Sequence, residues 1–174
     1  MAQAGWWYAA YIAWLLAGFA DFICHRRTDI ANTSGTLESI LHLIQVVIIG
    51  TALFLWLTFA PSFGLVFSIG FLVALHAVAG YTDTRVAYRV REIRPIEQHL
   101  HSVLDIAPWI GFAALAVGFQ QQADMDANNF ELRRPTLPIA VWVAIVTPSV
   151  VLVLVPAVLE LVQAVSAGRR KAHA

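Results

Sequence analysis

Three times in this chain a carboxylate precedes a histidine by four residues: Asp21 and His25, Glu38 and His42, Glu97 and His101. A fourth pair, His76 and Asp83, is spaced by seven, and Asp105 extends the third pair by a further four. On an α-helix, residues four apart point about 40° apart and residues seven apart nearly coincide. Each set therefore shares one helix face. His99 lies two residues from both Glu97 and His101, so it points to the opposite side and is set aside as an interfacial residue.

Imidazole and carboxylate together suit iron, zinc, copper and manganese, the imidazole giving a neutral nitrogen and the carboxylate giving charge and a bridge. Four facing helices, each with one histidine and at least one acid, would build a bundle-core metal site of the di-iron or di-manganese kind. Four histidines with up to five carboxylates exceed the needs of a single ion. The surplus points to two ions, or to one ion in a charged surround. The expected ligands are His25, Glu38, His42, His101 and Asp105, with His76 as a further metal ligand. Asp21, Asp83 and Glu97 are expected as catalytic acids that relay protons, and each is also a candidate ligand.

Blander roles compete for some of these residues. Glu38 and Glu97 stand where a first-turn carboxylate favours the positive end of a helix, and Asp83 has Arg85 and Arg89 nearby. Asp21, His42, His76 and Asp105 resist such readings, because an ionisable group well inside a membrane costs about 2.5–3.5 kcal/mol even on the lenient insertion scale. Glu160 has no histidine close to it in sequence and ranks lower. Cys24, the only cysteine, is read as a packing or lipid-facing residue and excludes a disulfide framework.

The elements that must position these groups are membrane helices. Of 174 residues, 59% are hydrophobic and 13% charged, and the apolar residues fall into long runs. We read an all-α integral membrane protein, a single five-helix domain with spans at about 6–25, 37–59, 63–84, 95–119 and 137–167. Each can cross a hydrocarbon core of about 30 Å at 1.5 Å per residue. The stretch "NTSGT" reads as the loop before the second span, and Pro95 as a first helical residue of the fourth. Pro148 and Pro156 are expected to kink the fifth span rather than end it, neighbours satisfying the freed carbonyls. The opening residues lack the positive region of a signal peptide, so the first span is expected to persist.

Nine basic residues, Arg26, Arg27, Arg85, Arg89, Arg91, Arg94, Arg169, Arg170 and Lys171, fall on one side of such a bundle. Arg133 and Arg134 fall on the other, beside Asp124, Asp126 and Glu131. The positive-inside rule then puts the N-terminus outside and the C-terminus in the cytoplasm, with a bacterial inner membrane as the expected location. All candidate ligands lie in the cytoplasmic half. The arginines from 85 to 94 are read mainly as determinants of this orientation.

In outline, histidines gathered at the cytoplasmic ends of helices resemble the membrane-bound di-iron hydroxylases and desaturases. Those enzymes carry closely spaced multi-histidine boxes, whereas here only His99 and His101 lie within four residues of each other. The Glu-x-x-His signature of ferritin-like bundles is replaced by acid-x-x-x-His. In residue types alone the set is also similar to membrane zinc hydrolases of the alkaline ceramidase type. No family is assigned on these grounds.

The leading expectation is a membrane metalloenzyme with two iron ions that oxidises, hydroxylates or desaturates a lipid-like substrate, served by an electron donor or other membrane subunits. A zinc-dependent lipid amide or ester hydrolase is the second. A non-enzymatic subunit holding b-type haem between His42 and His101, or His25 and His76, is the third. A transporter ranks last, because the outer halves of the first four spans hold almost no ionisable groups. Zero net charge excludes a nucleic-acid surface.

Overall fold

A computed structural model describes residues 2–27, 35–120 and 130–172. The loop readings at Asn32, Thr33, Ser34, Asp124 and Asp126 lie outside those residues. Among the described residues the chain is helical apart from short connections, without a named strand. Helix α1 spans Ala2–Arg27, α2 Gly35–Thr58, α3 Phe63–Val90 and α4 Pro95–Gln120. The fifth span is composite: α5 (Ile139–Ser149), a π-helical turn (Val150–Leu154) and α6 (Val155–Ala172). Five segments are long and apolar enough to cross a membrane, as the apolar runs require.

The third helix continues to Val90 instead of ending near 84. Its last turns keep one buried stripe, Asp83 and Ala87, while Arg85 and Arg89 point away, so the helix outlasts its apolar run. The Arg91 amide closes it on the Ala87 carbonyl at 3.1 Å. At its other end the Ser62 hydroxyl accepts from the Leu65 amide at 3.1 Å, a cap that explains the abrupt start after the short turn.

The fifth span runs through both prolines without breaking. Pro148 has no amide hydrogen, which frees the Ala144 carbonyl. The Tyr8 hydroxyl donates to that oxygen at 3.2 Å, and the Tyr11 hydroxyl donates to the next one, Ile145, at 2.7 Å. Trp6 and Trp7 remain exposed, as an interfacial belt requires. The π-helical turn lies between Pro148 and Pro156, where the i to i−4 ladder is already interrupted.

Contacts run from α1 to α4, α4 to α3, α3 to α2, α2 to α6, and from the fifth span back to α1. The five spans thus close a ring in the order 1, 4, 3, 2, 5. One apolar core, Ala52, Leu65, Ile69 and Val73, lies between α2 and α3 and is covered by Phe112 and Leu115 of α4. Large apolar side chains such as Phe67, Phe71, Ile110 and Val151 face outward around the bundle. Such an exterior would be a liability in water and is what hydrocarbon requires.

Candidate metal centre

At the arginine-bearing ends of the spans, the ring encloses charge instead of apolar side chains. The last turns of α1 bring in Asp21 and His25, and the first turns of α2 bring in Glu38, Ser39 and His42. Helix α3 adds Asp83, α4 adds Glu97 and His101, and α6 adds Glu160. His25, Glu38, Glu97 and Glu160 are each no more than 2% exposed.

His25 is the hub. Its Nε2 lies 3.5 Å from Asp21 Oδ2 and 3.3 Å from Glu97 Oε1. Its Nδ1 lies 3.6 Å from Glu38 Oε1 and 3.8 Å from Glu160 Oε1. His42 reaches Asp83 Oδ2 at 3.0 Å through Nε2 and Glu160 Oε1 at 3.1 Å through Nδ1. His101 Nε2 lies 3.3 Å from Asp21 Oδ1. The imidazole centroids are 4.8 Å apart for His25 and His42, 6.3 Å for His25 and His101, and 6.5 Å for His42 and His101.

Three overlapping groups offer one donor atom per residue, all within 4.8 Å of one another: Asp21, His25, His42 and His101; His25, Glu38 and Glu97; and Glu38, His42 and Asp83. Ligand bonds of about 2.0–2.2 Å place donors on one ion no more than about 4.4 Å apart, so modest inward movement makes each group a coordination site. Sharing of His25, His42 and Glu38 makes the sites contiguous. A void of about 30 Å³ opens among Asp21, His42, Asp83, His101 and Asp105. It has room for an ion with a water, and little else. Asp21 Oδ1, His42 Nε2, Asp83 Oδ1 and His101 Nε2 are buried there without a hydrogen bond of good geometry. Buried polar atoms are nearly always hydrogen-bonded, and a cluster of such exceptions is what a cation would satisfy.

Charge points the same way. Five carboxylates, Asp21, Glu38, Asp83, Glu97 and Glu160, contact the imidazoles or a single guanidinium. That guanidinium is Arg91, just beyond the end of α3. It donates from Nη2 to Glu38 Oε1 at 2.5 Å and from Nη1 to Glu97 Oε2 at 2.9 Å, and it also pairs closely with Glu97 Oε1. Burial opposes its charge, yet hydrogen bonds to Glu97 and Glu38 hold its pKa above the ordinary arginine range. Five carboxylates against one guanidinium leave the cup acidic, a setting that favours cations.

Arg91, read mainly as a mark of orientation, has a further role in the structure: it clamps α2 to α4. Glu160, ranked low for want of a neighbouring histidine, meets His42 and His25 across the ring and accepts from Ser39 Oγ at 3.2 Å. Glu38 and Glu97 do more than start helices, since both are bound by Arg91. Asp83 faces His42 and Gln45, the latter donating to its Oδ2 at 3.5 Å. The Asp21–His101 and His42–Asp83 contacts tie α1 to α4 and α2 to α3.

Two expected ligands stand apart from the three groups. Asp105 borders the small void and packs on Gly80, where an added Cβ would come within 2.7 Å of its Oδ1. His76 is buried farther along α3, and its Nδ1 lacks a hydrogen-bond partner. It lines a larger, mainly apolar cavity of about 500 Å³ that continues from Asp21, His42 and Glu160 between α1, α2 and the fifth span.

No family model matches the chain, and no curated relative or solved structure is significantly similar to it, so the geometry of the cup is what any functional reading must stand on.

Proposed function

We propose that this chain is an integral-membrane metalloenzyme whose cup holds two transition-metal ions, iron by preference, on the cytoplasmic side of a bacterial inner membrane, with the N-terminus outside. Its proposed work is the oxidation, hydroxylation or desaturation of a lipid-like substrate. The observation that carries the reading is the convergence of Asp21, His42, Asp83 and His101 on an ion-sized void, with His25 completing, beside Asp21, His42 and His101, a group of donor atoms close enough to share one ion. Imidazoles mixed with carboxylates favour iron over softer-ligand metals. The side-by-side groups favour a pair.

In this reading the metal supplies oxygen activation when bound. Hydroxylation then balances as one C–H bond, one dioxygen, two electrons from an external donor and two protons, giving a C–OH bond and water. The chain's own groups have separable tasks. Asp21 and Asp83, each against an imidazole, hold and pass the protons. Glu97 and Glu38 are tied to Arg91 and fix His25 from two sides. Glu160 orients His42 through Nδ1, which leaves Nε2 directed toward the void.

Three imidazoles and one carboxylate are also a good zinc set, and the same acids would then assist attack of water on a lipid amide or ester. Haem is the weaker alternative, because the void beside His42 and His101 has no room for a macrocycle. Elemental analysis of protein purified without chelators tests all three readings. Two equivalents of iron with visible absorption support the oxidative reading, and colourless zinc supports the hydrolytic one. His42→Ala and His101→Ala should each lose most of the metal. Wild-type protein free of transition metal, after purification with iron and zinc supplied, would overturn the proposal.

A further inference from the structure

We infer that the cavity of about 500 Å³ is the binding site for a neutral single-chain amphiphile, such as a fatty alcohol or aldehyde, that enters sideways from the bilayer between α2 and the π-helical turn. Its chain lies along the apolar walls, and its polar end meets His76, about 10 Å deeper in the membrane than Asp83 of the cup. The inference deepens the metalloenzyme reading by naming the substrate class, and it rests on that reading only for the chemistry after binding.

The cavity has one charged end. Its walls run from the level of Tyr11 on α1 down to Phe22, and from Leu57 on α2 down to His42. Eleven to fifteen residues of helix make that depth about 16–22 Å. A volume of about 500 Å³ over that depth leaves a mean cross-section of roughly 22–30 Å², a width for one hydrocarbon chain at van der Waals packing and too narrow for two joined through glycerol.

The cavity also has a mouth. Val47, Gly50 and Phe54 of α2 and Val146 and Val150 of the fifth span line it while remaining exposed on the outer face of the bundle. In a membrane that face meets acyl chains, so the opening is lateral. The π-helical turn sits at this mouth, and its wider backbone is the kind of irregularity that recurs at functional sites in helices.

His76 selects the head group. It is 5% exposed, its Nδ1 has no hydrogen-bond partner, and it lines a mainly apolar space. Such an atom requires a partner, and a hydroxyl or carbonyl at the end of a chain can provide one. The charged groups of the cavity, toward the cup, are the carboxylates of Asp21 and Glu160 beside His42. An anionic head group would face two acids in a low-dielectric setting, whereas a neutral one would not.

The test is photolabelling in nanodiscs with hexadecanol and with hexadecanoic acid, each carrying a mid-chain diazirine, on protein whose metal content is measured in the same preparation. The alcohol should label the segments around 46–54 and 146–154, about tenfold more strongly than the acid, a difference of about 1.4 kcal/mol. An added Cβ at Gly50 meets no atom within 4 Å, so Gly50→Trp should block the mouth without disturbing the fold, and Val47→Trp is a second blocker. Both should cut labelling about tenfold and leave metal content unchanged. His76→Phe should erase the preference for the alcohol. Label spread over all lipid-facing helices and indifferent to Gly50→Trp would overturn the inference. So would equal labelling by the acid or by a diazirine phosphatidylcholine. Metal-free protein that still shows the blockable labelling would sink the metalloenzyme reading and leave the binding site standing.

Discussion

Gly70 and Gly80 lie ten residues apart on α3, and each makes room for a side chain of α4, but the two fillings are opposite in chemistry. A Cβ at Gly70 would come within 2.8 Å of the Phe112 ring; one at Gly80 would come within 2.7 Å of Asp105 Oδ1 and 3.3 Å of Gln45 Oε1. The first glycine opens onto the apolar core, the second onto the border of the charged cup. Apolar packing between membrane helices has no solvent-driven advantage over packing against lipid, so the first region holds by fit alone. The second holds by charge, and charge in a low dielectric is unforgiving when one partner is lost. The same helix pair therefore carries two kinds of contact, one tolerant and one brittle.

The largest effect should come from breaking the charged region at its clamp. Arg91→Met leaves the Glu38 and Glu97 carboxylates without their guanidinium, and the loss of one partner of a buried pair costs about 3–5 kcal/mol. Thermal unfolding in nanodiscs should show that loss, and a change within about 1 kcal/mol of wild type would mean the pair is not buried as described. Arg91→Lys should recover only part of it, because an ammonium cannot present the planar fork that meets both acids. The pH dependence follows from the sign of the shift. Burial works against the guanidinium, Glu97 and Glu38 outweigh it, and the folded pKa lies above the unfolded one. The clamp's contribution is then complete below the ordinary arginine range and is lost only as pH rises from that range through the higher folded value.

A smaller effect should separate the two glycines. Gly70→Ala overpacks a ring whose neighbours are already in contact, which costs about 1–3 kcal/mol, and Phe112→Leu should restore most of it. Metal content should not change. Gly80→Ala instead displaces the ends of two rotatable polar chains, Asp105 and Gln45, so stability should fall less. The metal, followed by stoichiometry and optical or paramagnetic spectra, should respond at Gly80→Ala and not at Gly70→Ala. The reverse pattern would place the cup elsewhere.

Much of this was legible in the sequence, for identifiable reasons. Uninterrupted apolar runs give the spans, and the ends differ most where α3 outlasts its run on a stripe of Asp83 and Ala87, with α1 starting earlier, at Ala2, and α6 ending later, at Ala172. The acid-x-x-x-His pairs give most of the cup, because four residues of helix nearly preserve direction. Drift is what misplaces Asp105: eight residues from Glu97 turn the helix by about 80°, enough to aim it at Gly80 instead of at His25. His76 shares a face with Asp83, but seven residues place it about 10 Å deeper, in the cavity. Arg91 was hidden among arginines that the positive-inside rule already explained. Glu160 was hidden because its partners, Ser39 and His42, are more than a hundred residues away and meet it only when the ring closes.

The smallest effect sharpens the tolerant half of the comparison. Tyr8 and Tyr11 donate to carbonyls at and beside the position that Pro148 leaves open, so α1 completes the backbone of the fifth span. A single hydrogen bond between membrane helices averages about 0.6 kcal/mol, which sets the expected cost of Tyr8→Phe. In a Pro148→Ala background the restored amide can serve the Ala144 carbonyl itself, and the same Tyr8→Phe change should then cost nearly nothing. Tyr11→Phe should keep its cost in both backgrounds, since the Ile145 carbonyl also takes the Ser149 hydroxyl at 2.8 Å and its acceptor is not the one the proline frees. A double-mutant cycle read by unfolding in nanodiscs tests this pairing, and coupling of Pro148 to Tyr11 rather than Tyr8 would mean that the helix bends by a different register.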